Sequence, residues 1–252
     1  MPCYLAPRRG WRFKRIVEGQ SWFMKRTFRI AAGLALFSLF LLMAAAPTLA
    51  QRPPHFVPPD VIYASDIPYA AATAAAGVVT LAVNLDEGAN IVNVQVLRDI
   101  PALTSPALVA VRGWTYAPAS LDGQHVRSSL LVNVVFDPAY LQLKNVPLAP
   151  AEPFQPPNPK ATPYTPAQLL AATYSPYPSD AAVGGAVVLD APVDSRGALA
   201  KVTVIRAVPM LTAAASGALK TWKFGAAVYG TTPVASKVVV AMVFRKTAIP
   251  LQ

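Results

Sequence analysis

The chain has 252 residues, enough for one or two domains, with 54% hydrophobic and only 13% charged residues. Its net charge of +10 does not mark a nucleic-acid binder. Residues 1–50 carry eight of the 22 Lys and Arg against Glu18 alone, a net of +7, so 14 basic and 11 acidic residues (+3) remain for the rest. The single cysteine, Cys3, lies in that first stretch, so the remainder has no disulfide or thiol and must fold on its core.

Lys25, Arg26 and Arg29 precede an uncharged apolar run, Ile30 to Ala46, and Thr48-Leu49-Ala50 follows it. A basic start, an apolar middle and small residues at the end predict a secretory signal cut after Ala50, with Met24 as an alternative start. The rival is an uncleaved inner-membrane anchor, because the run approaches the roughly 20 residues that span a bilayer. Gln51 to Asp60, QRPPHFVPPD, reads as a short Pro-rich lead.

From there the chain is written twice at a fixed offset of 108. Trp114 falls on Trp222, Gly77 on Gly185, Asp86 on Asp194, Arg98 on Arg206 and Phe136 on Phe244, without a gap. Such self-similarity, turns included, predicts one small domain duplicated. Copy one covers 61–137 and copy two 167–252. In copy one, Tyr69 to Ala76 suits a short helix stopped by Gly77. Val79, Leu81, Val83 and Leu85 alternate with smaller or polar residues, which is strand periodicity. Asp86-Glu87-Gly88 turns the chain into a second strand through Val92, Val94 and Val96. Ser105 as cap and Pro106 at the first position start a helix that Gly113 ends. After the Asp122-Gly123 turn, Leu130, Val132, Val134 and Phe136 form a last strand.

Pro138 to Pro166 holds nine prolines in 29 residues and reads as an extended, poorly packed linker. Copy two repeats the order. Gln168 to Ala172 and Ser179 to Val183 supply front helical pieces. Val187 to Val193 and Val202 with Val204 supply strands, Thr212 to Leu219 a helix, and Val238 to Phe244 the last strand. Pro192 inside a strand asks for an edge or a bulge. The outer face of each last strand is also apolar (Leu131 and Val135; Val239, Ala241 and Val243), so it calls for a cover, either the sister copy or another chain. The fold class expected is α+β: two tandem two-layer domains, each a three-stranded antiparallel sheet with two helices in the order α-β-β-α-β. The linker suggests that the two fold as separate units around Trp114 and Trp222.

These landmarks resemble the C-terminal domain of the TonB family of energy transducers. They are Tyr177-Pro178, Gly184-Gly185, Asp194 and Gly197 in copy two, and Ala110 to Ala119, Asp122-Gly123 and Val126 in copy one. Copy one departs from the pattern, with Pro68-Tyr69 where the family has Tyr-Pro. The resemblance implies a periplasmic domain that takes a peptide segment of an outer-membrane transporter, or another envelope protein, by strand addition along its last strand. On this chain that edge is Lys237, Val238, Val239, Val240, Ala241, Met242, Val243 and Phe244, with Tyr177 as a further ligand contact. No long Pro-rich spacer is present, which bears on energy transduction. The alternative is an envelope scaffold without energy transduction, and a homodimer is left open.

Nothing in the chain argues for an enzyme. His55 and His125 sit in a Pro-rich lead and a turn, and Asp86, Glu87 and Asp194 are turn formers. With no second thiol or clustered histidine, no catalytic residue, metal site or cofactor site can be named, and no Gly-rich phosphate loop follows a strand. Lys220 and Lys223 beside Trp222 suit a solvated helix face, and the two tryptophans suit the core. Tyr177 suits a packing or turn role as well as a ligand contact. The expected contact with a membrane is through the leader only, if it stays uncleaved, and no nucleic acid is expected. The last-strand edge decides between the two functional readings, because only a free edge can accept a peptide.

Overall fold

The computed structural model describes residues 55–69, 73, 75–137, 147–148, 154 and 163–245. The signal-like run Ile30 to Ala46 and most of the helix expected at Tyr69 to Ala76 lie outside these residues; Thr73, Ala75 and Ala76 are not helical. Copy one contains β1 (Phe56–Val57), β2 (Asp60–Tyr63), β3 (Gly77–Leu85), β4 (Ile91–Arg98), α1 (Pro101–Arg112), β5 (Thr115–Ala117), β6 (Ala119–Leu121), β7 (Gln124–Val126) and β8 (Ser128–Asp137). β9 (Pro147–Leu148) follows. Copy two contains β10 (Tyr164–Thr165), β11 (Gln168–Thr173), β12 (Gly185–Val193), β13 (Thr203–Arg206), α2 (Thr212–Leu219), β14 (Lys223–Gly225), β15 (Ala227–Tyr229), β16 (Thr232–Val234) and β17 (Ser236–Phe244).

The protein is mostly sheet with one helix per copy among the described residues. Gln168 to Ala172, expected to be helical, is strand β11, and Ser179 to Val183 is turn and irregular chain. Leu and Ala favour a helix locally, but β11 pairs with β14 on one side and β9 on the other, and that pairing prevails. The described ends of the lead and of the linker also form strand where their prolines suggested a spacer. β1 and β10 are repeat equivalents at the same offset (56 + 108 = 164) and pair with β6 and β15. Helix α1 begins at Pro101, one turn before the expected Ser105, and Pro106 lies inside it. Thr104 makes this start: its hydroxyl accepts from the Ile100 N–H at 3.0 Å and donates to the Ile100 carbonyl. Thr212 makes the same pair of bonds with Val208 in copy two.

The two copies do not fold as separate units; residues 54 onward form one compact body. A single six-stranded sheet runs β13-β12-β17-β8-β3-β4, every pair antiparallel except the central one. There β17 lies parallel to β8, with Val238 opposite Leu131 and Phe244 opposite Asp137. The register offset is 107 (238 − 131), one less than the repeat. That single residue matters, because side chains directly opposite in a sheet share a face. A register of 108 would put both cores on one side. At 107 the cores, and with them α1 and α2, fall on opposite faces.

The outer apolar faces are covered in this way. Val239, Ala241 and Val243 join copy one's core with Leu81, Leu103 and Trp114. Val135 and Val78 join copy two's core with Leu189, Leu219 and Trp222. Leu131 packs with Ala82 and with Phe154 of the linker, which is 3% exposed. Of the two covers the sequence left open, the sister copy supplies most. Pro192 fits because short β13 has ended beside it; the Pro192 carbonyl accepts from the Ala200 N–H on that side, where the ring has no donor to offer.

Candidate functional site

The strand expected to accept a peptide is the centre of the sheet. Every residue from Gly185 to Val193 pairs with β17 on one side, and Val238 to Phe244 pair with β8 on the other. Lys237 to Phe244 therefore offer no free edge, and that expectation is corrected by the pairing of the two copies. Val238 to Phe244 are each at most 1% exposed. Tyr177 is brought against the same strand: its ring lies 6.1 Å from that of Phe244 and its hydroxyl donates to the Val183 carbonyl at 2.8 Å. Tyr69, its equivalent, packs edge-on against Phe136 at 5.3 Å. Both tyrosines are thus engaged in packing.

Lys237 points the other way from the expected role. Its ammonium donates to Asp60 of β2 at 2.5 Å and to Asp190 of β12 at 2.9 Å. Burial works to lower the Lys237 pKa, but the bonds to Asp60 and Asp190 and their charges prevail and hold it above the ordinary value. Burial raises Asp190, against the bond and charge of Lys237. Asp66 accepts from the Ala186 N–H at 2.8 Å and meets Arg206 at 3.1 Å. Both contacts tie copy one's front segment to copy two's sheet. The equivalent rings of Phe56 and Tyr164, one from each copy, lie 4.5 Å apart.

The remaining candidates behave as turn and core residues. Asp86 accepts from the N–H groups of Gly88 and Asn90, and Asp194 from those of Arg196 and Ala198. Both carboxyls sit below the ordinary value, Asp86 chiefly through the Asn90 side chain and Asp194 through the Ala198 N–H. Trp114 and Trp222 are buried, His55 and His125 exposed, and Lys220 and Lys223 exposed. Among the described residues no His, Cys, Asp and Glu group has a metal-ligating arrangement.

The outer strands of the six-stranded sheet are β4 and β13. β4 is eight residues long and, among the described residues, pairs only with β3, along Ile91 to Arg98. From Ile91 to Leu97 it carries no charge and no proline, and Val92 and Val96 are 68% and 36% exposed. Exposed edges are ordinarily blunted by charge, proline, shortness or bulges; β4 has only the last, with Val92 and Leu97 as extra residues in its pairing with β3 and Asn93 to Val96 regular between them. β13, its equivalent, is blunted by shortness: four residues, preceded by Lys201. Sequence reasoning found β4 as a strand but passed over its edge. The uncharged run at Ile91 was the available signal.

The model of the Gram-negative bacterial TonB protein C-terminal family matches residues 68–138 and again 172–245. The chain belongs to this family. Its two matches are the two copies, and the family is one of protein-interaction domains that act in energy transduction at the cell envelope. TonB C-terminal domains interact with outer-membrane proteins in general. No curated protein and no solved structure matches the chain. Among the described residues no helix of this TonB-like protein is long and apolar enough to cross a membrane.

Proposed function

We propose that this TonB-like envelope protein binds an extended segment of an outer-membrane transporter, or of another envelope protein, by strand addition at the β4 edge. The observation that carries this reading is the eight-residue strand Ile91–Arg98, uncharged as far as Leu97 and paired on one side only among the described residues. An edge of this kind offers a row of unpaired N–H and C=O groups, which supply affinity, while side chains choose the register. The last strand is withdrawn from this role because the sister copy fills it. The protein works in the periplasm, exported by its apolar leader, and needs no cofactor.

A second reading is an envelope scaffold without energy transduction, favoured by the paired last strand. Amide hydrogen exchange separates the two. With periplasm-facing transporter segments added, outward-facing amides of β4, alternate ones within the regular stretch Asn93 to Val96, become protected while those of Val238 to Phe244 stay unchanged. No protection at β4 favours the scaffold.

A further inference from the structure

Beside the first half of β4 lies an open cleft of about 330 Å³, lined by Ile91, Val92, Asn93, Val94 and Arg112. Arg112 stands in the last turn of α1 and is exposed. It makes no ion pair among the described residues, and the two carboxylates of the hairpin turn are already engaged. Asp86 is held by Gly88 and Asn90, and Glu87 by Arg127 at 3.1 Å. The extra residue Val92 shifts the alternation, so Ile91 and Val94 share one face and both pack in copy one's core with α1; Arg112 lies on that helix face of the sheet.

An added strand alternates its side chains between the two faces. The residue opposite Ile91 to Val94 that turns toward α1 therefore meets the guanidinium. The main-chain terminus of such a strand stays in the sheet plane, away from that face. We infer that Arg112 selects a segment whose helix-face residue is acidic, its carboxylate bound by the guanidinium fork while β4 pairs with the flanking apolar residues. This rests on the β4 edge being the binding site. A guanidinium presents paired N–H donors that match a carboxylate, and the uncharged edge supplies no competing charge. Copy two lacks the device, since the position equivalent to Arg112 is Lys220 (112 + 108) and β13 is short.

The test uses a short capped peptide of alternating valine and threonine with one central glutamate, and its glutamine twin, titrated into the exported form of the full chain. The glutamate peptide binds more tightly, by about fivefold at low salt for a partly exposed pair, and the advantage shrinks as salt screens it. Arg112→Gln removes the difference while the glutamine peptide binds as before, and far-UV circular dichroism confirms the fold. Equal binding of the two peptides to wild type overturns the inference and leaves the β4 edge standing. Binding of neither overturns both. A difference that survives in Arg112→Gln assigns the carboxylate elsewhere and overturns the role of Arg112.

Discussion

The two copies hold the same backbone devices and use them differently. Each has a threonine that closes its helix start, an aspartate that ties its hairpin, and a glycine at positive φ opening its first strand (Gly77 at 139°, Gly185 at 135°). At the equivalents of the strand ends they part company. Asp137 is buried and Arg245 stacks on Tyr69 at 4.6 Å, although the two positions correspond (137 + 108 = 245). Trp222 donates to the Thr173 carbonyl at 3.0 Å, while the Trp114 ring N–H has no partner among the described residues. β4 has eight residues where β13 has four. The features kept are those that shape one copy. Apart from the tryptophan bond, which lies inside copy two, the differences fall where the copies meet each other or solvent, which is where a duplicated domain is free to specialise.

The strongest way to break the comparison is to interrupt the shared sheet. Val239→Pro and Val240→Pro each remove a donor from a strand paired on both sides, so both variants lose the folded state, whichever way the N–H points. Urea denaturation followed by tryptophan fluorescence then shows both copies lost together; a surviving half would mean that they do not share a core.

A smaller effect separates the buried Asp137 from its half-buried equivalent, Arg245. Burial raises Asp137 to about 7, opposed by the Ser175 N–H that it accepts. Its folded pKa lies above the unfolded value, so the folded state holds the extra proton. That contribution is complete below about pH 4 and is lost as pH rises through about 7. Asp137→Asn keeps a neutral group there. Its stability relative to wild type, measured by urea unfolding, rises between about pH 4 and pH 8 and changes little above. An advantage independent of pH would show that Asp137 titrates normally.

The smallest expected effect lies in the hairpins. Ala89 occupies φ 64° where copy two has Gly197 at 84°. Ala89→Gly relieves the left-handed conformation of a residue with Cβ and raises stability by about 0.5–1 kcal/mol. Gly197→Ala does the reverse and more, since its Cβ would lie 2.5 Å from the Phe224 carbonyl oxygen. Thermal unfolding of the two variants should therefore shift in opposite directions.

Much of this was legible in the sequence. The offset of 108 placed both copies, alternation placed β3, β8, β12 and β17, and the aspartates and glycines placed the hairpins. The apolar outer faces signalled a cover. What failed were segments decided by distant partners. QLLAAT looks helical until β9 and β14 are known, and FVPPD looks like a spacer until Phe56 meets Tyr164 of the other copy. The last-strand edge failed for the same reason, since nothing local at Lys237 to Phe244 tells that β8 lies alongside.

The central pairing joins residues 107 apart in the chain, and this sets an order of events. At ordinary ribosomal rates β17 is completed on the order of 5–20 s after β8. Until then the ten-residue β8 is paired with β3 alone, and Val135 lacks its cover from copy two. Contacts of such wide separation form late. The half-made protein therefore carries, for that interval, the sticky edge that the finished one has sealed, and a chain truncated after copy one would keep it for good.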